Sequence, residues 1–211
     1  MLVPINADFP EPRKIQRAVE ALERGELIAY PTDTLYGIGC DLSNKRALDR
    51  LIALKGKAKP TPPTFICHDL ADIARYAIVE NAVYRELKRL LPGPYTFVLL
   101  AKPEVPKLAQ TKRRTAGIRV PHHPIPLALA RALGRPIAST SATYQGVALI
   151  DTHEINDRFP TLAMVLDGGV GGTVATSIID LSVMPPVVLR EGAGSVEPFE
   201  EAPPMSRKWM K

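Results

Sequence analysis

Segments with helical periodicity alternate with short apolar runs along most of the chain. Between Pro12 and Gly25, apolar residues recur at the spacing of one helix face, which predicts an amphipathic helix. The run at residues 27–30 predicts a buried strand, and the periodic segment at 47–54 predicts a second helix. The same alternation predicts four further helices: one that begins at residue 69, two at 81–91 and 125–133, and a short one near residue 153. It predicts further strands at 64–67, 95–101, 116–120, 136–139, 162–166, 174–181 and 187–190.

This alternation indicates the α/β class. The later strands are joined by turns as short as residues 183–186, whereas parallel neighbours need a crossover of about a dozen residues or more. We therefore expect a twisted sheet that mixes parallel and antiparallel strands, with flanking helices packed on it. A single domain is expected at residues 1–202, followed by a flexible tail at 203–211.

The composition favours a globular chain without a membrane segment. Of 211 residues, 45% are apolar, which is enough for a sizeable core. No apolar run approaches the roughly 18 residues of a membrane span, and the N-terminus lacks the features of a signal peptide. We therefore expect a cytoplasmic protein with no membrane partner. Cys40 and Cys67 lack the spacing of a zinc site, so we expect two free thiols and no structural metal.

The formal net charge of +5 is unevenly distributed. Basic residues cluster at residues 55–59 and again at Lys112, Arg113 and Arg114. Such clusters can be ordinary solvated surface, or they can form a positive concave face that attracts phosphates or RNA. Charge alone does not choose between a nucleotide and a polynucleotide.

Four short polar segments lie far apart in the sequence, at residues 31–39, 55–57, 117–122 and 139–143. Each borders an apolar run that is predicted to be a strand or a helix. A folded sheet would bring such loops to one rim, where binding residues commonly lie. Their convergence predicts a binding or active site.

The segment PTDTLYGIG at residues 31–39 combines three hydroxyl side chains, a carboxylate and two glycines. Hydroxyls bind polar ligands, and glycine lets the backbone approach a ligand closely. The same composition also forms an ordinary turn. Lys55 and Lys57 are suited to a polyphosphate, although Lys55 would equally complement the end of a helix.

Arg119 lies inside an apolar strand, so it must be paired or face a cleft, because burying a lone cation is costly. The alternative to a ligand is a structural carboxylate partner. The hydroxyls of residues 139–143 follow another strand, and they suit phosphate or ribose oxygens, although such turns also occur without a ligand. Walker A, GxGxxG and GxSxG signatures are absent from the sequence.

Together these segments resemble the YrdC/Sua5/YciO family over residues 5–199. The matching motifs are PTDTLYGIG at 31–39, KGK at 55–57, PGPYT at 92–96, RVPH at 119–122, STSATYQG at 139–146 and TSIID at 176–180. The stretches KRRTAGIR at 112–119 and REG at 190–192 are similar to the YciO branch in particular.

The resemblance implies a twisted α/β sheet with a large basic concave face that binds nucleotide and RNA. In the synthase branch, the pocket condenses L-threonine, bicarbonate and ATP into threonylcarbamoyl-AMP with release of pyrophosphate, for the t6A modification of tRNA. By resemblance, Mg²⁺ would arrive with ATP, and ATP or AMP, L-threonine, bicarbonate and tRNA or double-stranded RNA are the expected partners.

The resemblance also assigns roles to individual residues. Threonine binding falls to Thr32, Thr34, Tyr36, His68 and Arg119. Adenylate and phosphate binding falls to Lys55, Lys57, Ser139, Ser141, Thr143, Ser177 and Arg190. The catalytic group would consist of Lys55, Lys57 and Arg119, and RNA binding is expected at Lys112, Arg113 and Arg114.

Two residues depart from the family pattern. Lys57 replaces an arginine, which removes a fork-shaped phosphate donor, and Thr143 replaces an asparagine, which removes an amide. These departures predict weakened synthase activity with nucleotide binding retained. Two alternatives stay open: a non-catalytic protein that binds RNA or ribosomes, and a hydrolase of the threonylcarbamoyl adenylate.

Overall fold

The computed structural model describes residues 1–54 and 62–200. The strands are Leu2–Pro4 (β1), Ile28–Tyr30 (β2), Gly37–Asp41 (β3), Thr64–Ile66 (β4), Tyr95–Leu100 (β5), Thr115–Arg119 (β6), Ile137–Ser141 (β7), Thr143–Tyr144 (β8), Val147–Ala148 (β9), Met164–Asp167 (β10), Ser177–Asp180 (β11) and Val187–Arg190 (β12). The helices are Pro12–Glu23 (α1), Lys45–Ala53 (α2), Leu70–Tyr76 (α3), Asn81–Leu90 (α4), Pro124–Leu133 (α5), Thr152–Arg158 (α6) and Glu197–Glu200 (α7).

Within the described residues, ten strands form one sheet in the order β1-β10-β2-β3-β7-β4-β6-β5-β11-β12. Four neighbouring pairs are parallel: β1 with β10, β10 with β2, β4 with β6, and β5 with β11. The other five pairs are antiparallel. The predicted mixed sheet with flanking helices is therefore confirmed, whereas the basic concave face stays a prediction.

Helix ends follow local chemistry that the sequence makes visible. Pro12 occupies the first turn of α1, where its missing N–H costs nothing. The side chain of Asn44 caps α2 by accepting a hydrogen bond from the Ala47 N–H at 3.0 Å. Gly134 ends α5 in the left-handed conformation, with a φ of 69°.

The two faces of the sheet pack against different layers of helices. Along β10, Met164 and Leu166 join a core with α1 and α5, whereas Val165 between them faces the opposite core. The opposite core is larger and includes residues of α2, α3, α4, α6 and α7. Since successive strand residues point to opposite faces, each side chain of the sheet can be assigned to one of these layers.

The main departure from the sequence prediction is strand β3. Its first residues belong to the segment predicted as a polar loop, yet Gly37–Asp41 is fully buried and pairs with β2 on one side and β7 on the other. Two glycines weaken a strand by themselves. Here the ring of Tyr30 packs against both of them, within about 3.1 Å of where each Cβ would lie. The short strands β1, β8 and β9 were also missed.

Other expectations have mixed outcomes. Cys40 and Cys67 are free, buried thiols, as predicted. None of the described helices is long and apolar enough to cross a membrane. Lys55, Lys57 and the predicted tail at residues 203–211 lie outside the described residues.

Candidate functional site

A polar pocket lies on the sheet face that α1 and α5 also cover. Thr64, Thr96 and Arg119 alternate along β4, β5 and β6 with residues of the opposite core, so their side chains share this face. The helix pair packs over the strands at one end of the sheet, including β1, β10 and β2. The pocket is formed by neighbouring strands, by Thr32 and by residues 34–37.

The structure brings most of the described candidates together. The pocket is lined by seven residues that the sequence singled out: Thr32, Thr34, Tyr36, Arg119, Ser139, Ser141 and Arg190. These residues come from the β2–β3 loop, from β7 and from the ends of β6 and β12. Three of the four polar segments therefore meet at one cavity, and the fourth, at residues 55–57, lies outside the described residues.

Three other candidates, His68, Thr143 and Ser177, do not line this cavity. The His68 ring lies between two carboxylates, with its nitrogens 3.3 Å from Asp69 and 3.3 Å from Asp72. Thr143 belongs to the β8–β9 hairpin, where it pairs with Ala148. These positions give neither side chain a described contact with the pocket.

Ser177 is occupied by backbone groups. Its hydroxyl donates to the Gly194 carbonyl at 2.5 Å and accepts from the Gly192 N–H at 2.9 Å. The side chain is fully buried. The prediction that Ser177 presents its hydroxyl to a nucleotide therefore disagrees with this geometry, since both bonds hold the 192–194 loop against β11.

Thr32 and Thr34 form a small hydroxyl cluster at the start of the pocket wall. Their Oγ1 atoms are 3.2 Å apart. Thr32 Oγ1 also donates to the Leu35 carbonyl at 2.7 Å and accepts from the Thr34 N–H at 3.0 Å. Thr32 therefore makes the turn that the sequence offered as an alternative, and both threonines still line the cavity.

Arg119 is a buried cation with an incomplete set of partners. It is 6% exposed, and its Nη2 donates to Asp33 Oδ1 at 2.5 Å. Among the described residues, Arg119 Nε and Asp33 Oδ2 are buried without a hydrogen-bond partner. Burial lowers the pKa of Arg119, and the Asp33 carboxylate opposes that effect. The carboxylate partner considered from sequence is present, yet the guanidinium also lines the cavity.

Arg190 brings a second guanidinium to the same cavity. Its Nε and Nη2 donate to the Thr176 carbonyl at 2.9 and 2.7 Å, and Nη2 also reaches Thr176 Oγ1 at 3.0 Å. Thr176 Oγ1 lies 3.1 Å from Thr96 Oγ1. Burial lowers the pKa of Arg190. Within the described residues these partners are neutral oxygens, so the positive charge is left for an anion.

Tyr36 lines the cavity, but its hydroxyl is already bonded. It donates to the Gly169 carbonyl at 2.7 Å and accepts from the Gly168 N–H at 3.3 Å. A Cβ on Gly171 would lie 2.6 Å from the Tyr36 ring, so glycine is needed for this close packing. Burial raises the pKa of Tyr36 to about 12. The phenol therefore fastens the glycine-rich loop beside the pocket.

The basic stretch at residues 112–114 lies at the opposite end of β6 from Arg119. Lys112, Arg113 and Arg114 are all exposed. Arg113 is 3.5 Å from the Asp180 carboxylate and 3.5 Å from the Ser182 hydroxyl. This stretch therefore offers cations to solvent and is separate from the pocket cations.

Sequence reasoning missed Thr64 and Thr96 as pocket residues. It counted the carboxylate of Asp33 in the 31–39 segment but gave it no role, whereas the structure pairs it with the pocket residue Arg119. For Thr96 a signal was present, because it lies between Tyr95 and Phe97 in an otherwise apolar strand. A hydroxyl in such a strand must face a partner or a cleft. The Arg119–Asp33 pairing joins segments 86 residues apart, so no local pattern identifies it.

Chemically, the pocket combines two guanidinium groups with a wall of hydroxyl side chains. This combination suits an anionic, hydroxyl-rich ligand such as a nucleotide. Among the described residues, no group of three or more histidine, cysteine or acidic side chains is arranged to hold a metal ion. The described pocket can thus orient and neutralise a ligand.

Known proteins share this architecture. The family model described as telomere recombination, which groups Sua5, YciO and YrdC, matches residues 20–192. YciO of Escherichia coli K12 is 41% identical over 92% of this chain and 97% of its own length. The crystal structure of E. coli YciO has a TM-score of 0.90 and 39% identity, covering 94% of this chain and 98% of that one.

Relatives with a named activity are also similar. The threonylcarbamoyl-AMP synthase of Mus musculus is 36% identical over 85% of this chain and 68% of its own length. The crystal structure of P. abyssi Sua5 complexed with L-threonine has a TM-score of 0.88 and 30% identity, covering 95% of this chain and 60% of that one. The chain therefore belongs to the Sua5/YciO/YrdC family.

Proposed function

We propose that the pocket binds ATP together with L-threonine and bicarbonate, and that it forms threonylcarbamoyl-AMP with release of pyrophosphate. The observation that carries this proposal is the meeting of Arg119 and Arg190 at one hydroxyl-lined cavity. Relatives named threonylcarbamoyl-AMP synthase support it, as does the Sua5 structure complexed with L-threonine.

The proposed reaction makes two bonds. The amino nitrogen of threonine bonds to the bicarbonate carbon, and water leaves to give a carbamate. A carbamate oxygen then bonds to the α-phosphorus of ATP, and the bond from that phosphorus to the pyrophosphate oxygen breaks. Reactant positioning and charge neutralisation supply much of the acceleration in such transfers.

The described residues divide into two groups in this proposal. Arg119 and the Thr32–Thr34 hydroxyl cluster hold the amino acid, because the guanidinium can pair with its carboxylate. Arg190, Ser139 and Ser141 hold the adenylate and its phosphates, because Arg190 has only neutral oxygen partners among the described residues. Lys55 and Lys57 would add phosphate contacts, and Mg²⁺ would enter with ATP.

The two departures from the family pattern are expected to differ in weight. Thr143 does not line the described cavity, so losing the asparagine there should weaken activity less than losing the arginine at position 57. A lysine at 57 keeps the charge but cannot form two parallel bonds to one phosphate. We therefore propose a slow synthase that retains nucleotide affinity.

The test is pyrophosphate release measured with ATP, bicarbonate and L-threonine, with and without the amino acid. Threonine-dependent release well above that of an Arg119→Ala variant is expected. Nucleotide binding without such release would instead support the non-catalytic alternative. Formation of AMP from preformed threonylcarbamoyl-AMP, without any synthesis, would support the hydrolase.

A second candidate function is RNA binding at the exposed stretch of Lys112, Arg113 and Arg114. Exposed cations contact phosphates without sequence preference, and each contact steepens the salt dependence of binding. Affinity for tRNA and for double-stranded RNA should fall as salt rises, and neutralising these three residues should flatten that slope. An unchanged slope would remove this candidate.

A further inference from the structure

Tyr30 is a fully buried phenol directly behind the pocket wall, and the chemistry proposed above does not use it. It is the last residue of β2 and pairs with Gly37 of β3. Its side chain has no exposed surface. Its hydroxyl lies 2.7 Å from the Oγ of Ser139, which lines the pocket.

The ring of Tyr30 is fixed by two glycines. A Cβ on Gly37 would lie 3.1 Å from ring carbons of Tyr30, and a Cβ on Gly39 would lie 3.0 Å from another. The Gly39 Cβ would also lie 2.5 Å from the Ile137 side chain. Because the ring lies on these bare backbone positions, the phenol oxygen has one orientation, toward Ser139.

The direction of the Tyr30–Ser139 bond follows from the available acceptors. Within the described residues, Ser139 Oγ is the only hydrogen-bond partner of the Tyr30 hydroxyl. A buried O–H without an acceptor is costly, so Tyr30 donates and Ser139 accepts. Burial also raises the pKa of Tyr30, which keeps the phenol protonated.

The proton of Ser139 is therefore left for another acceptor. Within the described residues it goes to the Ile38 carbonyl at 3.3 Å, which is longer than the 2.7–2.8 Å or so of a good O–H···O bond. A ligand oxygen with negative charge would be a better acceptor than this distant carbonyl. The bond received from Tyr30 also polarises the Ser139 hydroxyl and makes it a stronger donor.

We propose that Tyr30 is a positioning residue that makes Ser139 a hydrogen-bond donor to an anionic oxygen of the bound ligand. The proposal rests on the function proposed above, because ATP and threonine supply the two classes of anionic oxygen, phosphate and carboxylate. Ser139 would then select ligands that carry an anionic oxygen at this point over ligands that carry an N–H donor.

The experiment is a double-mutant cycle read by calorimetry with paired ligands. Tyr30→Phe keeps the ring on the glycines and removes the phenol, and Ser139→Ala removes the relayed donor. ADP is compared with adenosine, and L-threonine with L-threoninol, so that each pair differs by its anionic group. We expect Tyr30→Phe to weaken one anionic ligand by about threefold to tenfold, and its uncharged counterpart by less than about twofold.

In the Ser139→Ala background, Tyr30→Phe should have no further effect on that ligand. Tyr95→Phe is the matched control, because it removes a buried phenol that bonds to the Ser195 carbonyl at 3.0 Å. Equal weakening of charged and uncharged ligands, additive effects in the cycle, or no effect of Tyr30→Phe would each overturn the proposal. The free energy of unfolding of the same variants is also measured, because a purely structural role of Tyr30 would lower stability without a selective loss of affinity for the anionic ligand.

The outcomes also separate this proposal from the function on which it rests. If the wild-type protein binds ADP and L-threonine but releases no pyrophosphate, the synthase function fails and the Tyr30 proposal is still decided by the cycle. If the wild-type protein binds neither ligand, both proposals are overturned.

Discussion

Two arginine–aspartate pairs in this protein differ in how fully they are hydrogen-bonded within the protein. Arg135 donates through Nε and Nη2 to both oxygens of Asp41, at 2.6 to 3.0 Å, and through Nη1 to a backbone carbonyl. Asp41 also accepts two bonds from Ser43, both at 2.8 Å. Arg119 instead makes one contact with Asp33, and a buried atom on each side lacks a partner among the described residues.

The difference indicates what each pair is for. The Arg135–Asp41 pair joins the end of β3 to the residues before β7, and its hydrogen-bonding capacity is largely used within the protein. Arg119 lines the pocket, and its single contact with Asp33 leaves other polar atoms of both side chains without a partner among the described residues. Incomplete hydrogen bonding of this kind is typical of functional sites, where a ligand can complete the network.

Replacing each arginine with lysine should have very different effects on activity in the two pairs. Arg119→Lys keeps the charge but loses the planar fork, so kcat/KM for pyrophosphate release should fall about 100-fold. Arg135→Lys should change it by less than about twofold. Both are measured well below the melting temperature of the less stable variant. Equal losses in the two variants would show that the pairs do not differ in function.

The second prediction concerns the Arg135–Asp41 pair, whose hydrogen bonds are largely made within the protein. Asp41→Asn should lower the free energy of unfolding by about 2 kcal/mol at pH 7, because it removes charge-assisted bonds from a buried network. Burial by itself raises the pKa of Asp41, but the bonds from Arg135 and Ser43 outweigh it and leave that pKa below its ordinary value.

The sign of the pH dependence follows from this lowered pKa. The contribution of Asp41 is complete above the unfolded pKa of about 3.9, and it is lost as the pH falls through the lower folded pKa. Urea titrations from pH 7 to pH 2 should therefore show the gap between wild type and Asp41→Asn closing only below about pH 4. A difference in the free energy of unfolding that stays constant down to pH 2 would contradict a stabilising role for the Asp41 charge.

The third prediction sharpens the role of Asp33. Asp33→Ala removes the carboxylate that holds Arg119, so kcat should fall about tenfold because the guanidinium is misoriented. KM should stay the same or fall, since Arg119 without its protein carboxylate still attracts the threonine carboxylate. Asp33→Asn keeps an oxygen acceptor and should restore kcat to within about threefold of wild type. Steady-state kinetics with L-threonine as the varied substrate separates the two constants. A rise in KM with unchanged kcat would contradict this role of Asp33.

The smallest expected effect concerns Tyr36, which lines the pocket but whose hydroxyl already donates one hydrogen bond and accepts another within the protein. Tyr36→Phe should lower the free energy of unfolding by about 1 kcal/mol and leave threonine affinity within about twofold of wild type. Chemical denaturation and calorimetry measure the two quantities. A large loss of threonine affinity would return Tyr36 to the substrate-binding role implied by the family resemblance.

The same contrast explains what the sequence could predict. Helix α1 follows from its apolar spacing between Pro12 and Gly25, and strand β5 follows from its aromatic and aliphatic run, because these signals are local. Strand β3 does not follow from its own glycines, because the ring that packs against them belongs to Tyr30 on the neighbouring strand. A local sequence pattern does not predict which side chain of another strand will pack against it.

The candidate site shows the same limit. Thr34, Arg119 and Ser141 could be gathered from motifs, and they do line one pocket. The motifs could not show that the Ser177 hydroxyl is hydrogen-bonded to the 192–194 loop, or that Asp33 forms an ion pair with Arg119. Those assignments depend on which backbone groups the folded chain brings within about 3 Å of a side chain.

The assignment of Arg119 and Arg190 to one binding pocket can be tested by a crystal structure with a non-hydrolysable ATP analogue and L-threonine bound together. We expect phosphate oxygens within about 3.2 Å of Arg190 and the threonine carboxylate at the same distance from Arg119. Asp33 should still contact Arg119 in that complex. Ligands bound elsewhere, with both guanidinium groups keeping only their present protein partners, would contradict it.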